Sequence, residues 1–376
     1  MVRLENIPAE IIVLIMSLSN YILFFSLFIV YFISNSLSII TPLYLSYIGL
    51  ELYIVGGLVS VAPLFRFQLL ATLYGRVMER VPAGVLYKLS VVAVAASTAL
   101  LVVKNPFVIA VSRIVAGVFG TFLVPLLWNS VANSAKMITY ANSVTVFAGI
   151  VSFAAAGLVV GAVGFEVAFL FFSLLLLATV FAKASAGGGG LKLGEVLRRS
   201  PVAPLLAIFL EWYVLYSLFL LLPIFLNKQG FSTELIGLFF TVEAAVYGAL
   251  QPLVGRLVEG NRRELVLLLA LYPSSLLLIP LAPGLVPLDL ILFAVGSSPI
   301  FVITTYYWRR GGFDVGVLMA FGYLGSFTGP LISGLLAPLS PILSFLQLAI
   351  AGGVLATVII TMFKTNLLYK SRSREI

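Results

Sequence analysis

The sequence predicts an all-α membrane protein with twelve transmembrane helices in two pseudo-symmetric six-helix bundles. The chain is 61% hydrophobic and 10% charged, whereas a soluble domain carries about 25% charged residues. Apolar runs of about twenty residues recur along its whole length, as crossing a hydrocarbon core of about 30 Å requires. Two similar segments, GRVMER at Gly75–Arg80 and GRLVEG at Gly255–Gly260, lie 180 residues apart in a chain of 376. A loop duplicated at half the chain length indicates two related halves.

Charged residues and Pro/Gly breaks delimit the twelve predicted spans. They cover residues 20–47, 51–74, 84–103, 106–130, 138–163, 165–183, 201–227, 233–255, 264–282, 285–308, 314–337 and 340–363. The apolar segment 7–19 is too short to span alone, so we expect an interfacial helix or an extension of the first span. No cleavable signal-peptide pattern is present, and the first span is expected to serve as the targeting signal.

These spans divide the chain into five parts. The parts are an N-terminal interfacial segment (1–19), a six-helix bundle (20–183), a cytoplasmic linker (184–200), a second six-helix bundle (201–363) and a basic cytoplasmic tail (364–376). The linker contains four consecutive glycines at Gly187–Gly190, followed by LKLGEVLRR. Glycine tracts are flexible, and the segment after them has the pattern of a short amphipathic helix.

The positive charges predict the orientation in the membrane. With the N-terminus in the cytoplasm, 18 of the 22 Lys and Arg residues fall on the cytoplasmic side, and only Lys104 and Lys228 fall outside. Because cytoplasmic loops carry an excess of Lys and Arg, we expect a multi-pass protein of the cytoplasmic membrane with both termini inside. The net charge of +8 is spread over these loops, which argues against nucleic acid as a partner.

The duplicated loops resemble a loop motif of a known family. In that family the loop reads roughly G-x-x-x-D-R-x-G-R-R. The matching positions are Gly75, Glu79 and Arg80 in the first copy, and Gly255, Glu259, Arg262 and Arg263 in the second. Glu replaces Asp in both copies, and each copy is incomplete. Two such copies, after spans two and eight, resemble the major facilitator superfamily of transporters. The resemblance covers residues 20–363 and does not identify a substrate.

Glycine motifs within the spans extend the resemblance. Span four carries Arg113-x-x-x-Gly117-x-x-Gly120, which is similar to the family's arginine-and-glycine motif. Span eleven is similar to the family's glycine-proline antiporter motif. That motif usually occurs in span five, which lacks the proline here. Small residues spaced by four let helices approach closely in lipid. We therefore expect faces of spans five and eleven to let the two halves meet and slide. The predicted packing residues are Gly117, Gly120, Gly157, Gly161, Gly325, Gly329 and Pro330.

The duplicated loops are also predicted to gate the transporter. Glu79 would accept hydrogen bonds from a helix N-terminus of the other half, where the macrodipole favours negative charge, or pair with Arg309 or Arg310. We expect Glu79 and Glu259 to latch the outward-open state in this way; the alternative is that these charges only fix topology. The predicted gating residues are Gly75, Glu79, Arg80, Gly255, Glu259, Arg262, Arg263, Arg309 and Arg310.

Four ionisable side chains lie within predicted spans, namely Arg66, Arg113, Glu211 and Glu243. A charge at the bilayer centre costs about 2.5–3.5 kcal/mol on insertion scales, so each should face a cavity or a partner. Other polar residues accompany them, and Glu243 begins an i, i+4, i+8 row on one helix face. The candidate substrate or proton cavity comprises Asn35, Arg66, Gln68, Arg113, Glu211, Trp212, Tyr213, Glu243, Tyr247 and Gln251.

Three interpretations of these charges stay open. In the first, Glu211 or Glu243 is a proton site whose proton affinity changes with access, and Arg113 is its counter-charge or an anion ligand. In the second, the residues bind substrate without protons. In the third, they form structural Arg–Glu pairs across the two halves.

Missing residue types and motifs narrow the function. The chain has no Cys and no His, which excludes thiolate and imidazole ligands, and we expect no metal and no cofactor. It has no phosphate-binding loop, so ATP-driven transport by this chain alone is not expected. A membrane enzyme would have only Glu211 and Glu243 as a carboxylate pair, which leaves the two-half symmetry unexplained. We therefore expect no enzyme.

The function predicted from the resemblance is secondary active transport of a small organic solute by alternating access, coupled to protons. Short loops and the span-eleven motif are similar to the drug-efflux branch, so export is favoured. Uptake of a sugar or organic anion by proton symport is the alternative, because Arg66 and Arg113 suit an anion. A non-transporting sensor or scaffold with the same fold is a further alternative. The expected partners are the solute, protons and bilayer lipid, and the chain is expected to work as a monomer.

Overall fold

The computed structural model describes residues 9–131, 135–184, 201–259, 264–310 and 315–372, which form helices joined by short connections. The helices are α1 (Ala9–Tyr47), α2 (Leu52–Thr72), α3 (Tyr74–Arg80), α4 (Ala83–Leu100), α5 (Pro106–Val131), α6 (Ala135–Leu177), α7 (Val202–Lys228), α8 (Thr233–Glu259), α9 (Glu264–Leu278), α10 (Val286–Arg310), α11 (Val315–Leu336) and α12 (Pro341–Arg372). Single 3₁₀ turns cover Ala178–Phe181 and Pro283–Leu285.

Within these residues, ten helices are long and apolar enough to cross a bilayer. The predicted twelve spans differ from this count in two places. Spans five and six fall together on α6, whose 43 residues are interrupted at Gly164, with φ 81° and ψ 170°. Span nine falls on α9, which has 15 residues and is therefore about 22 Å long. The chain is thus an all-helical, multi-pass membrane protein, as predicted.

The N-terminal segment predicted as an interfacial helix or an extension is continuous with the first span, because α1 runs unbroken from Ala9 to Tyr47. Proline occurs inside several of the long helices, as at Pro42 of α1 and Pro63 of α2. Membrane helices tolerate proline because neighbouring groups satisfy the freed backbone atoms. The predicted amphipathic helix of the linker lies outside the described residues.

The two halves of the chain repeat a local structure. Pro42 lies near the end of α1 and is followed seven residues later by Gly49, and Pro223 of α7 is followed at the same spacing by Gly230. Both glycines have positive φ, 85° and 89°. That conformation costs glycine little because it has no Cβ. The same turn therefore ends the first helix of each half.

One end of the helix bundle carries these turns, and we call it the Gly49 end. Ring contacts bring Tyr47 and Phe165 to 5.5 Å there, so the break at Gly164 lies at the same end. The loop between α4 and α5 also lies there, because Lys104 Nζ is 2.9 Å from Glu166 Oε1.

Residues up to 184, the N-terminal half, pack against residues from 201, the C-terminal half, through three helix pairs: α2 with α11, α6 with α8, and α1 with α7. A Cβ on Gly56 would lie 2.5 Å from the Pro330 carbonyl oxygen, and one on Gly157 would lie 2.5 Å from the Thr233 carbonyl oxygen. Both contacts are near the Gly49 end. Small residues therefore let the halves touch backbone to backbone at that end.

Candidate functional site

Two arginines lie where the halves meet. Arg66 of α2 has its guanidinium carbon 5.6 Å from the centroid of the Tyr323 ring of α11. Arg113 of α5 donates from Nη2 to the Val59 carbonyl oxygen at 3.3 Å. Gly120 of α5 makes room for Arg66, because a Cβ there would lie 2.8 Å from its Nη2. The Nε of each arginine is buried without a hydrogen-bond acceptor among the residues that the structure describes.

Among the described residues, no carboxylate forms an ion pair with either arginine. Arg66 and Arg113 are close enough to repel each other electrostatically. Across the described ranges, the one ion pair joins Lys104 and Glu166 at the Gly49 end. A buried charge without a partner is costly. The site thus combines two adjacent positive charges with Nε–H groups that have no described acceptor, an arrangement that a bound anion would stabilise.

Aromatic side chains from both halves form a group that contacts Arg66 through the Tyr323 ring. Trp212 packs edge to face on Tyr323 at 5.2 Å and lies 5.8 Å from Tyr216. In the N-terminal half, the Trp128 indole N–H donates to the Tyr31 hydroxyl at 2.9 Å. Tyr31 is close to Tyr216 and Tyr323, and all five side chains are half-buried. We call these five residues, with Arg66 and Arg113, the arginine cluster.

The two carboxylates form a second group inside the C-terminal half. Glu211 of α7 is 7% exposed and Glu243 of α8 is 8% exposed, and Glu211 Oε2 has no hydrogen-bond partner in the described part of the chain. Tyr247 and Tyr272 each interact electrostatically with both carboxylates. Tyr272 belongs to α9 and stacks on Phe293 of α10 at 4.9 Å. We call Glu211, Glu243, Tyr247 and Tyr272 the carboxylate cluster.

The structure separates what the sequence placed in one candidate cavity. No ion pair joins Arg66 or Arg113 to Glu211 or Glu243 within the part of the chain described. Cross-half Arg–Glu pairing is therefore absent from this arrangement, and the two kinds of charge occupy different clusters.

The uncharged residues of the candidate cavity also divide. Trp212 belongs to the arginine cluster, and Gln251 lies beside the Tyr247 hydroxyl. Asn35 is half-buried, with its side chain near Gly149 of α6. Gln68 is exposed, and it lies about 200° around the helix from Arg66.

Tyr213 points away from both clusters. It is buried in α7, and its hydroxyl donates a hydrogen bond to Gln347 Oε1 of α12. Gln347 Nε2 in turn donates to Ser333 Oγ of α11 at 2.6 Å. The three side chains form a polar chain that joins three helices of the C-terminal half, a structural arrangement.

The predicted gating residues are partly described. Gly75, Glu79 and Arg80 lie in α3, where Glu79 and Arg80 are exposed, and Glu79 forms no ion pair with another described residue. A Cβ on Gly255 would meet no atom within 4 Å. The side chains of Glu259, Arg309 and Arg310, and residues Arg262 and Arg263, lie outside the described part.

The predicted packing glycines contact different partners. Gly157 and Gly161 of α6 face Thr233 and Glu234 of α8, in the other half. The Pro330 carbonyl meets Gly56 of the other half.

The remaining packing glycines contact helices of their own half. Gly325 and Gly329 of α11 face the α7 backbone at Phe209 and Tyr213. Gly117 faces Ala62 of α2, next to the contact of Gly120 with Arg66.

Sequence reasoning did not place Tyr31, Trp128, Tyr272 or Tyr323 among the candidate residues. The repeat contained a signal for two of them. Tyr31 lies 181 residues before Trp212, and Trp128 lies 180 residues before Trp308. Equivalent positions in the two halves thus carry aromatic residues, a pattern that the charged residues alone do not reveal.

Two further features of the described residues bear on other kinds of site. No group of three or more Asp and Glu side chains there could hold a metal ion. A groove of about 400 Å³ between α1 and α6 is lined by Tyr21, Phe24, Phe25, Phe28, Ser143, Val144 and Phe147. It contains none of the predicted site residues.

The chain matches a known family over most of its length. The sequence model of the Major Facilitator Superfamily matches residues 23–311, which confirms the resemblance. No curated protein sequence matches the chain.

Solved structures show the fold. The crystal structure of the nucleoside transporter NupG is similar, with TM-score 0.73 and 14% identity over 92% of this chain and 99% of that chain. A bacterial homolog of the human lysosomal transporter Spinster, inward-facing and occupied, gives TM-score 0.68 and 13% identity over 95% and 97%. At such identities the likeness shows a shared fold alone.

Proposed function

We propose a transport cycle for this chain, which belongs to the Major Facilitator Superfamily. In this cycle, two six-helix bundles, residues 20–183 and 201–363, rock about a site at their interface and move a small organic solute across the cytoplasmic membrane. Protons drive the movement. The observation that carries the proposal is the pair of buried carboxylates, Glu211 and Glu243, without a cationic partner among the described residues.

Twelve crossings are supported by the two elements that differ from the sequence prediction. The 43 residues of α6 would extend about 65 Å as one straight helix, more than twice the hydrocarbon core of about 30 Å. The break at Gly164 therefore divides α6 into two crossings. The short apolar α9 together with the turn at Pro283–Leu285 supplies the remaining crossing.

The positive-inside rule supports the orientation of the cycle. Lys104 and Lys228, the two basic residues predicted to lie outside, are at the Gly49 end, whereas Arg76, Arg80 and Lys88, predicted to lie inside, follow the opposite end of α2. We therefore place both termini in the cytoplasm and the Gly49 end outside. The tight glycine contacts at the Gly49 end then correspond to an outside-closed, inward-facing state. Glu79, exposed and without an ion pair to a described residue, fits a latch that is released in this state.

The carboxylate cluster is the proposed proton site. A carboxyl group that alternates between a dry protein interior and water binds and releases a proton, because burial penalises only its charged form. Tyr247 and Tyr272 lie within electrostatic range of Glu211 and Glu243. Rocking of the halves would change the water access of this cluster and so couple proton movement to solute movement.

Export remains the direction favoured by the resemblance to the efflux branch. Uptake by proton symport is the second candidate, and one observation favours it. Arg66 and Arg113 lack a described carboxylate partner and suit an anionic solute. Anion uptake works against a negative interior at about 2.3 kcal/mol per charge and 100 mV, and cotransported protons would offset that charge.

The test of this cycle needs no substrate. The chain contains no cysteine, so spin labels can be attached to introduced cysteines alone. One pair, Tyr53→Cys with Leu235→Cys, spans the halves at the Gly49 end, and a second, Leu73→Cys with Leu253→Cys, spans them at the opposite end. All four side chains are exposed. Alternating access predicts that a change from alkaline to acidic pH lengthens one distance and shortens the other.

Two controls define the result. A pair within the N-terminal half, Tyr53→Cys with Lys104→Cys, should keep its distance at both pH values. The double variant Glu211→Gln/Glu243→Gln should abolish the pH response of the two cross-half pairs. Distances that stay constant with pH, or that change in the same direction at both ends, would contradict the proposal.

A further inference from the structure

We infer that the arginine cluster binds an aromatic organic anion, with the acidic group at Arg66 and Arg113 and the ring among the aromatic side chains. The inference deepens the proposed function by naming the substrate class, and it rests on that function. It derives from the charge and N–H donors of the two arginines and from the aromatic rings of the same cluster.

The charge of the cluster calls for an anion. A guanidinium group is always positive in a protein and presents five N–H donors. Arg113 uses a donor for the Val59 carbonyl oxygen, and the Nε of each arginine is buried without an acceptor. No described carboxylate pairs with either arginine. A bound carboxylate would neutralise part of this charge and accept hydrogen bonds from the unused donors, and such charge-assisted hydrogen bonds are stronger than neutral ones.

The surrounding rings specify the rest of the solute. Tyr31 and Trp128 of the N-terminal half, and Trp212, Tyr216 and Tyr323 of the C-terminal half, are half-buried, and the Tyr323 ring contacts Arg66. Aromatic pairs attract each other beyond the effect of the apolar area they bury. A planar ring would therefore pack here better than a saturated ring of the same size. Because both halves supply rings, its binding would also respond to their rocking.

The same arrangement argues against a cationic solute. Aromatic clusters bind cations through their ring faces, but the Tyr323 ring already faces the Arg66 guanidinium. A cationic solute would be repelled by Arg66 and by Arg113. A neutral aromatic compound would gain the ring contacts but leave the buried charges without a partner.

The test is isothermal titration calorimetry on the purified full-length protein at neutral pH with three probes. These are 2-naphthoate, its neutral amide 2-naphthamide, and the saturated anion decalin-2-carboxylate. We expect 2-naphthoate to bind at least tenfold more tightly than the amide and several-fold more tightly than the saturated anion. Equal affinities for 2-naphthoate and 2-naphthamide, or no binding of any probe, would overturn the inference.

Variants locate the site. Arg113→Gln should abolish the preference for acid over amide, whereas Arg113→Lys, which keeps the charge but not the fork of donors, should retain part of it. Trp212→Leu should abolish the preference for naphthoate over the saturated anion. Arg76→Gln, an exposed change on α3, is the matched control and should change neither ratio.

The outcomes separate this inference from the proposed function. If Arg113→Gln keeps the wild-type acid-to-amide ratio, the inference is wrong even where the pH-dependent distance changes occur. If 2-naphthoate binds as expected but the cross-half distances do not respond to pH, the transport cycle is wrong and the binding site stands. If the melting temperature shows that Arg113→Gln does not fold, the acid-to-amide affinity ratio is measured in Arg66→Lys and Arg113→Lys instead. The inference then predicts a reduced ratio in both variants, and an unchanged ratio would overturn it.

Discussion

Gly56 of α2 and Gly334 of α11 face each other so closely that a Cβ added to either would lie 3.0 Å from the Cα of the other. The equivalent contact on the other side of the interface joins Gly237 of α8 to Gly157 of α6, where a Cβ on Gly237 would lie 3.2 Å from the Gly157 Cα. Gly56 and Gly237 each follow the turn glycine of their half by seven residues. The two halves thus use the same device to meet near the Gly49 end.

Gly56→Ala is expected to open the Gly49 end. The new methyl group would meet the Pro330 carbonyl oxygen at 2.5 Å, and such overpacking costs about 1–3 kcal/mol. A bias of that size changes a two-state equilibrium by roughly 5–150-fold. The spin-label pair at Tyr53 and Leu235 should report a longer distance in the variant at a fixed pH.

Gly57→Ala is the matched control for this prediction. Gly57 is the next residue of the same helix, and a Cβ there would meet no atom within 4 Å. It should leave the distance unchanged. An equal lengthening in both variants would show that any alanine in this stretch disturbs α2, and that the Gly56–Gly334 contact does not hold the end closed.

Replacing the buried carboxylates should remove the pH response without unfolding the protein. Glutamine has the shape of glutamate but no ionisable proton, so Glu211→Gln and Glu243→Gln remove a buried charge and keep the packing. Burial of a charge without a partner is unfavourable; we therefore expect melting temperatures equal to or above that of the wild type. The pH dependence of the cross-half distances should be lost in at least one variant.

Glu79 is an exposed carboxylate, so its variant is the control for the two buried ones. Glu79→Gln should shift the balance between the two states but keep its dependence on pH. A wild-type pH response in both Glu211→Gln and Glu243→Gln would assign proton coupling to a different group.

Gln347→Leu is expected to destabilise the C-terminal half. The change leaves the Tyr213 hydroxyl and Ser333 Oγ without the partner that now joins them. A buried polar group that loses its hydrogen bond costs about 1–3 kcal/mol. The melting temperature should therefore fall measurably. Gln68→Leu, at an exposed position of α2, should have little effect, and an equal fall in both variants would contradict the structural role of the chain.

The ion pair at the Gly49 end should be visible in the titration of Lys104. Its hydrogen bond to Glu166 and the charge of that carboxylate raise the pKa of Lys104 above its ordinary value. A raised pKa means that the pair stabilises the fold fully below the unfolded-state pKa and loses that effect as pH rises through the folded-state pKa. Nuclear magnetic resonance of isotopically methylated lysines should show the shift in the wild type and its loss in Glu166→Gln.

The sequence predicted the parts of this molecule that depend on one helix at a time. Apolar runs of membrane length indicated the helices, and the rarity of charge in lipid singled out Arg66, Arg113, Glu211 and Glu243. The loop motifs indicated the family, which the match over residues 23–311 confirms. Local composition suffices for these features because each concerns a single helix or loop and its solvent.

Features that depend on the rotation of one helix against another were not predictable. The helix period separates Gln68 from Arg66 and Tyr213 from Trp212, but it does not determine which of these faces meets the other half. In the structure, Tyr213 turns towards α12. Gly325 packs on α7 of its own half, although the motif predicted a face between the halves. The direction in which each helix face points depends on how side chains of neighbouring helices pack together. The sequence of a single helix does not determine that packing.

The most direct experiment follows protons and solute together in proteoliposomes that contain a pH-sensitive dye. A panel of nucleosides, sugars and aromatic sulfonates, which cross lipid poorly, would be added outside without any imposed pH gradient. We expect at least one solute to change the internal pH in wild-type vesicles, with acidification indicating symport and alkalinisation indicating exchange. The change should be lost in the double variant Glu211→Gln/Glu243→Gln. A solute that enters wild-type vesicles with no pH change, or with the same change in the variant, would contradict proton-coupled transport by this chain.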